Sequence, residues 1–122
     1  MIKDSEYYLL VSMGGFAGAI ARYTINLIIP AMQGILVINV VGCVFLGFLL
    51  YGSIYAGAFS PRVRAAFGAG FLGAFTTFST FSLQTLQASP EAAILNVLGN
   101  LILGLAGVMI GRQLAILVAR RA

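Results

Sequence analysis

The chain has 122 residues, of which 61% are hydrophobic and only 8% are charged, and its formal net charge is +4. This composition excludes an ordinary soluble domain and is typical of an integral membrane protein. The sequence has no histidine, so zinc, haem and histidine-based acid–base chemistry are disfavoured. No nucleophile–base pair indicates an enzyme, and no basic and aromatic pattern indicates nucleic-acid binding.

Four stretches are long and apolar enough to cross a bilayer, which takes about 20 residues. We predict spans at about residues 7–29, 34–56, 62–87 and 91–119, in a single domain covering residues 1–122. Pro30, Pro61 and Pro90 lie in the three connections, because proline ends a helix or begins a new one. Connections this short require consecutive helices to run antiparallel. The sequence therefore predicts an all-α, multi-pass membrane protein.

The basic residues indicate the orientation of the four spans. Both termini and the second connection lie on one side of the membrane. That side carries six of the seven basic residues, and only Arg22 lies elsewhere. The positive-inside rule places both termini in the cytoplasm, as expected in a cell membrane, and contact with anionic lipid suits the positive charge. The six residues are Lys3, Arg62, Arg64, Arg112, Arg120 and Arg121.

The chain is rich in glycine, with 15 residues. In lipid, helices approach one another closely at small residues, and the pairs Gly14/Gly18 and Gly107/Gly111 have the four-residue spacing of such contacts. Four helices enclose little space, so a pore or cavity forms more easily between subunits. We therefore expect an oligomer.

Three of the predicted spans contain isolated polar residues, which are costly in a membrane and mark candidate functional positions. Arg22 in the first span either extends to the interface or forms an electropositive vestibule for an anion. Asn39 in the second either makes an interhelical hydrogen bond or lines an anion path with its two amide donors. Asn96 and Asn100 lie four apart on the fourth span, and the same alternatives apply.

The third span contains the sequence GAGFLGAFTTFSTFS at residues 68–82. On a helix, the three-residue repeat brings Phe78 and Phe81 to one side, with hydroxyls beside them. The rings either pack in a core or face an anion, since a ring edge carries positive charge. Conduction requires several weak sites in series, which edges and hydroxyls supply. The neighbouring hydroxyl residues are Thr77, Ser79 and Thr80.

The same segment predicts a break in the third helix. Gly70, Gly73 and the β-branched Thr76 and Thr77 all weaken helical order. A broken helix inside a membrane is tolerated where its backbone groups are buried or line a polar site. Exposed carbonyls at such a break coordinate cations. We therefore expect a structural cation beside the anion path.

The segment GFLGAFTTFSTFS, with LVINVVG and GGFAGAIARY before it, resembles the Fluc/CrcB family of fluoride channels. The resemblance covers essentially the whole chain. It implies an antiparallel, dual-topology dimer with two narrow pores that passively export fluoride and confer fluoride resistance.

The resemblance also implies roles for particular residues. Arg22 matches the first-helix arginine of a vestibule. The backbone carbonyls of Gly73 and Thr76, from both subunits, are expected to hold a central sodium ion. The sequence departs from the family at Gln84, where many members have glutamate. The residues implied to line the fluoride pore are Phe78, Phe81, Asn39, Ser79, Thr77 and Thr80.

Two other functions fit the same size and hydropathy. A small multidrug-type cation exporter needs a carboxylate inside the membrane, whereas the first span carries Arg22. A non-transporting assembly subunit explains the glycines but not the aligned phenylalanines and hydroxyls.

A further alternative concerns the partner, because a dual-topology homodimer is expected to show little charge bias. An antiparallel heterodimer with a related, oppositely biased subunit is therefore an alternative to the homodimer.

Overall fold

The protein folds into four helical spans, and the computed structural model describes residues 3–121 of it. The third span consists of two helices separated by a short extended segment. This confirms the predicted all-α architecture with four helices and a break in the third. The helices are α1 (Asp4–Ile28), α2 (Ala31–Ala56), α3 (residues 61–75, π-helical over Arg64–Leu72), α4 (Ser79–Gln87) and α5 (Pro90–Ala119).

Prolines and serines define where the later helices begin. Pro61 and Pro90 occupy the first turns of α3 and α5, and the preceding Ser60 and Ser89 cap them by accepting backbone N–H groups. This is the usual chemistry of a helix start. α2 begins at Ala31, directly after Pro30, and therefore starts three residues before the predicted Gly34. It ends at Gly57, whose φ of +57° favours glycine.

Three of the spans are long and apolar enough to cross a membrane: Ala31–Ala56, Pro61–Gln87 and Pro90–Ala119. α1 has 25 residues, so it is also long enough. Its composition is more polar, with Arg22 inside it and two acidic residues in its first turn. Large apolar side chains are exposed along α1, α2 and α5, as expected of surfaces that face lipid or another subunit.

The helices pack as two close pairs, α1 with α3 and α2 with α5. In the first pair, a Cβ atom added at Gly14 or Gly18 would overlap a backbone carbonyl of α3. In the second, a Cβ atom added at Gly47 or Gly111 would overlap a carbonyl of the opposite helix. A Cβ atom at Gly107 would lie 3.0 Å from the carbonyl oxygen of Val40, so both predicted glycine pairs lie at close helix contacts.

The core lies where α2 meets α3. Ile35 and Ile38 are fully buried there, next to Leu72 and Phe75. The rings of Phe67, Phe71 and Phe75 stack along α3, with centroid separations of 5.1 and 5.6 Å. The stack ends at Phe75, directly before the break.

The charged residues nearest the helix starts show the relative direction of α1 and α3. Arg62, at the start of α3, forms an ion pair with Glu6, in the first turn of α1. The hydrogen bond from Arg62 holds the pKa of the Glu6 carboxyl below its usual value. Both side chains are solvent-exposed, so the pair contributes little stability. It does bring the two helix starts to one end of the bundle, as four antiparallel spans require.

We expect Gly111→Ala to destabilise the fold by about 1–3 kcal/mol, the usual cost of overpacking. Its new methyl group would overlap the carbonyl oxygen of Val44 on α2. Gly99→Ala, on the same helix, is the matched control, because its Cβ would lie 3.8 Å from Leu36 in ordinary contact. Thermal unfolding of the purified variants in detergent measures the difference. Equal melting temperatures for the two variants would contradict the close α2–α5 contact.

Candidate functional site

The break in the third span covers residues 76–78. Thr76 leaves the helix with an extended backbone, at φ −74° and ψ 157°, and the helix resumes at Ser79. Gly70 and Gly73, which the sequence also implicated, remain helical. Gly70 instead permits close packing, since a Cβ there would lie 2.6 Å from the carbonyl oxygen of Val11. The break therefore begins at the β-branched threonines.

The side chain of Asn39 on α2 replaces the helical hydrogen bonds that the break removes. Its Oδ1 accepts from the backbone N–H of Thr77 at 2.9 Å, and its Nδ2 donates to the carbonyl of Thr77 at 3.1 Å. Nδ2 also donates to Oδ1 of Asn100 on α5, at 3.1 Å. An interhelical hydrogen bond, the first alternative for Asn39, is thus present. Both amide protons are engaged in this conformation.

The backbone carbonyls of Gly73 and Thr76 are among those that lose their helical partners at the break. In a continuous helix, the N–H of Thr77 would bind the carbonyl of Gly73, and that of Thr80 the carbonyl of Thr76. Here Thr77 N–H goes to Asn39, and Thr80 N–H donates to Oγ1 of Thr77 at 3.2 Å. The carbonyls of Gly73 and Thr76 are therefore left to accept from elsewhere. Carbonyl oxygens of this kind suit a hard cation.

The hydroxyl groups of the motif cluster around Thr77, which is only 7% exposed. Thr77 Oγ1 donates to Oγ1 of Thr80 at 3.2 Å and lies 3.3 Å from Oγ of Ser79. These three hydroxyls meet because Thr77 caps α4, not because they share a helical register. Ser82 lies outside the cluster and donates to the carbonyl of Phe78 at 2.8 Å.

The rings of Phe78 and Phe81 lie close together, with centroids 5.6 Å apart and planes at 43°. Phe81 is half-buried against the core, whereas Phe78 is 80% exposed. The pair therefore extends from the interior of the subunit to its surface, where the outer side of the Phe78 ring is uncovered.

Both rings line an open groove of about 580 Å³ bounded by α2, α3, α4 and α5. The groove contains five further predicted or related positions: Asn39, Gly73, Thr76, Thr77 and Asn100. Gly42 forms part of its floor, and a Cβ atom at Gly42 would overlap Cγ2 of Thr76. The remaining lining residues are mainly apolar: Cys43, Leu46, Gly68, Leu72, Val97 and Leu101. The groove is thus largely apolar, with its polar groups concentrated at the break.

Three predicted site residues, Arg22, Ser79 and Thr80, do not line this groove. Arg22 is partly exposed on α1 and does not line the groove. Within residues 3–121, no carboxylate forms an ion pair with it. Ser79 and Thr80 reach the site through the Thr77 hydroxyl and do not themselves line the groove. The motif residues therefore meet around Thr77, and Arg22 stands apart from them.

Sequence analysis missed Thr85, which the structure links to the polar residues of α5. Asn96 donates to Oγ1 of Thr85 at 2.8 Å, and Thr85 donates to the carbonyl of Phe81, also at 2.8 Å. The available signal was its position one turn after Phe81, as a polar residue within a span. Gln84 directly precedes Thr85 on α4, and its buried Oε1 has no hydrogen-bond partner within the described chain.

Comparison with known proteins places the chain among membrane proteins of similar size. Residues 9–112 match the family described as "CrcB-like protein, Camphor Resistance (CrcB)". A protein of Methanospirillum hungatei, named fluoride-specific ion channel FluC 1, is 50% identical over 105 residues, or 86% of this chain and 75% of the relative. FluC 1 of Haloarcula marismortui is 43% identical over 93% of this chain and 89% of its own length. FluC of Methanocaldococcus jannaschii is 40% identical over 92% of this chain and 96% of its own.

Proposed function

The chain belongs to the CrcB family, and we propose that it forms a fluoride-selective channel that passively exports fluoride across the cell membrane. It is a multi-pass membrane protein, and its relatives are named as channels rather than enzymes. The observation that carries the proposal is the groove in which two phenylalanine rings and a hydroxyl cluster meet beside a broken helix. No Asp or Glu occurs among the described residues that line this groove, which disfavours a carboxylate-driven cation exporter.

The chemistry of the groove suits a small anion that has lost its water. Aromatic ring edges carry the positive end of the quadrupole, so Phe78 and Phe81 offer favourable but weak contacts. Weak sites in series permit both entry and exit, which conduction requires. An arginine at the same depth would hold the anion too tightly for that purpose.

The hydroxyl cluster provides a directed proton donor for the anion. The Thr77 hydroxyl donates a hydrogen bond to the Thr80 hydroxyl, and the Ser79 hydroxyl is placed to donate a hydrogen bond to Thr77. The Thr80 hydroxyl then donates to no acceptor within residues 3–121, so it can turn to donate to Thr77, and Thr77, which lines the groove, would then direct its own hydrogen to fluoride. Each donor in such a series strengthens the next, because hydrogen-bonded chains polarise one another.

A single subunit does not enclose an ion, so we propose an antiparallel dimer in which a second subunit closes each groove. The groove is open on one side, and Phe78 is 80% exposed at its edge. Two such grooves would give two pores. Arg22 would serve as the cationic vestibule, because no carboxylate neutralises it within the described residues.

The free carbonyls at the break support a central sodium ion between the subunits. Gly73 and Thr76 have lost their helical N–H partners, and both residues line the groove. Two carbonyls from each subunit would give four oxygen ligands. When bound, the ion supplies positive charge that fixes the two breaks together.

We expect liposomes containing the protein to release fluoride with negligible release of chloride. Phe81→Ile is expected to slow fluoride efflux at least about tenfold, equivalent to about 1.4 kcal/mol in the barrier, because the ring edge is lost. A fluoride electrode measures the efflux. Phe16→Ile is the control, since Phe16 is exposed on α1 away from the groove. Equal release of both anions, or unchanged flux in Phe81→Ile, would refute the assignment.

Replacing sodium by N-methyl-D-glucamine is expected to lower the Tm of the protein by several degrees, because a ligand of the folded state stabilises it. Gly42→Ala is expected to abolish this difference, since its methyl group would displace Thr76. Gly99→Ala is the control and should retain it. A Tm that is the same in both cations for the unmodified protein would exclude the sodium site.

We propose that the dimer is a homodimer. The six-to-one bias of basic residues between the two sides of the membrane favours the alternative, a heterodimer with a related subunit. The chain expressed alone as Cys43→Ala with Ser5→Cys carries one cysteine near its N-terminus. Labelling with a membrane-impermeant maleimide from each side then measures orientation. A homodimer of this topology requires labelling from both sides. Labelling from the cytoplasmic side alone would refute it in favour of a heterodimer.

A further inference from the structure

A line of hydrogen bonds leaves the third span at the break and returns to it at Phe81. It starts at the backbone N–H of Thr77, which donates to Asn39 Oδ1, and Asn39 Nδ2 donates to Asn100 Oδ1. Asn100 Nδ2 donates at 3.0 Å to Oδ1 of Asn96. Asn96 Nδ2 then donates to Thr85 Oγ1, and Thr85 Oγ1 donates to the carbonyl of Phe81. The line passes through α2 and α5 and closes on α4.

All bonds of this line point in the same direction. Each of the three asparagines accepts through its oxygen and donates through its nitrogen. Turning any one amide over would break two of these bonds at once, and bonds in a common direction reinforce one another. Asn96 is only 7% exposed, so an unpartnered amide there would be costly. The line therefore fixes the orientation of all its members together.

The two ends of the line bracket the aromatic pair. Thr77 directly precedes Phe78, and the other end is the carbonyl of Phe81 itself. α4 has only nine residues, and helices this short are marginal on their own. Its position must therefore be set by contacts with other helices. The bond between Asn96 and Thr85 connects α4 to α5, the longest helix of the bundle.

We propose that Asn96 and Thr85 are positioning residues that act through this line, by way of Asn100 and Asn39, to hold Phe78 and Phe81 at their conducting separation. The inference rests on the proposed channel function and extends it to α5. The hydroxyl of Thr85 and the amide of Asn96 lie outside the groove lining. Their influence on an ion is therefore indirect, through the backbone at both sides of the ring pair.

Thr85→Val and Thr85→Ser test the proposal as a matched pair. Valine keeps the shape of threonine but neither accepts from Asn96 nor donates to Phe81, whereas serine does both. We expect Thr85→Val to slow fluoride efflux at least about fivefold, the scale of one lost hydrogen bond, and Thr85→Ser to retain the unmodified rate. Thr24→Val is the control, because Thr24 makes the same kind of bond to a carbonyl one turn back, Ile20, on α1.

Two further measurements separate positioning from general stability and from the channel function itself. Asn96→Ala combined with Thr85→Val is expected to be no slower than the slower single variant, since both cut one line. Hydrogen exchange of residues 77–81 is expected to accelerate in Thr85→Val but not in Thr85→Ser. Hydrogen exchange can be measured even if the unmodified protein passes no fluoride. That outcome would refute the proposed channel function but not the positioning role. Four outcomes would each overturn the positioning role. Two are an unmodified fluoride flux in Thr85→Val and an equal slowing in Thr85→Ser. The others are additive slowing in the double variant and unchanged hydrogen exchange of residues 77–81 in Thr85→Val.

Discussion

A membrane interior offers no water to backbone N–H and C=O groups, and this one constraint accounts for most of the site. Interrupting a helix at residues 76–78 frees backbone groups that must find partners inside the protein. Asn39 supplies two of them by binding both the N–H and the carbonyl of Thr77. The threonine hydroxyl then caps the next helix. The carbonyls of Gly73 and Thr76 are left without their helical N–H partners.

The two hydrogen bonds from Asn39 to the backbone of Thr77 depend on how closely the helices approach one another. Asn39 is short, so α2 must lie near the break, and Gly42 allows this by leaving space for Thr76. The opposite side of α2 is held by α5 through glycine contacts such as that of Gly111 with Val44. α1 holds α3 in the same way through Gly14 and Gly18. Small residues thus set the distances at which a few polar side chains reach the backbone.

The architecture could be predicted from hydropathy and the three prolines, because span length and helix-breaking residues are local properties. The break was predictable from the threonines, although Gly70 turned out to serve close packing instead. The partners of Asn39, Asn96 and Asn100 were not predictable, since each amide has several possible partners and the choice depends on helix distances. Thr85 gave only a weak signal, its position one turn after Phe81, because a hydroxyl on a helix usually binds the carbonyl one turn back. Phe78 is largely exposed and Arg22 partly exposed, so the contacts within the described chain do not define a role for either residue.

The wide winding of Arg64–Leu72 has a consequence for how such a chain can vary over evolutionary time. A π-helical stretch holds an extra residue compared with an α-helix, and each residue of an α-helix turns the chain by about 100°. Loss of one residue here would be taken up as the wide turns relax into ordinary helix, so the segment from Gly73 onward would keep nearly the same orientation. The same deletion in an α-helical stretch would turn everything after it by about 100°, so this stretch can change its length with less disturbance to the break.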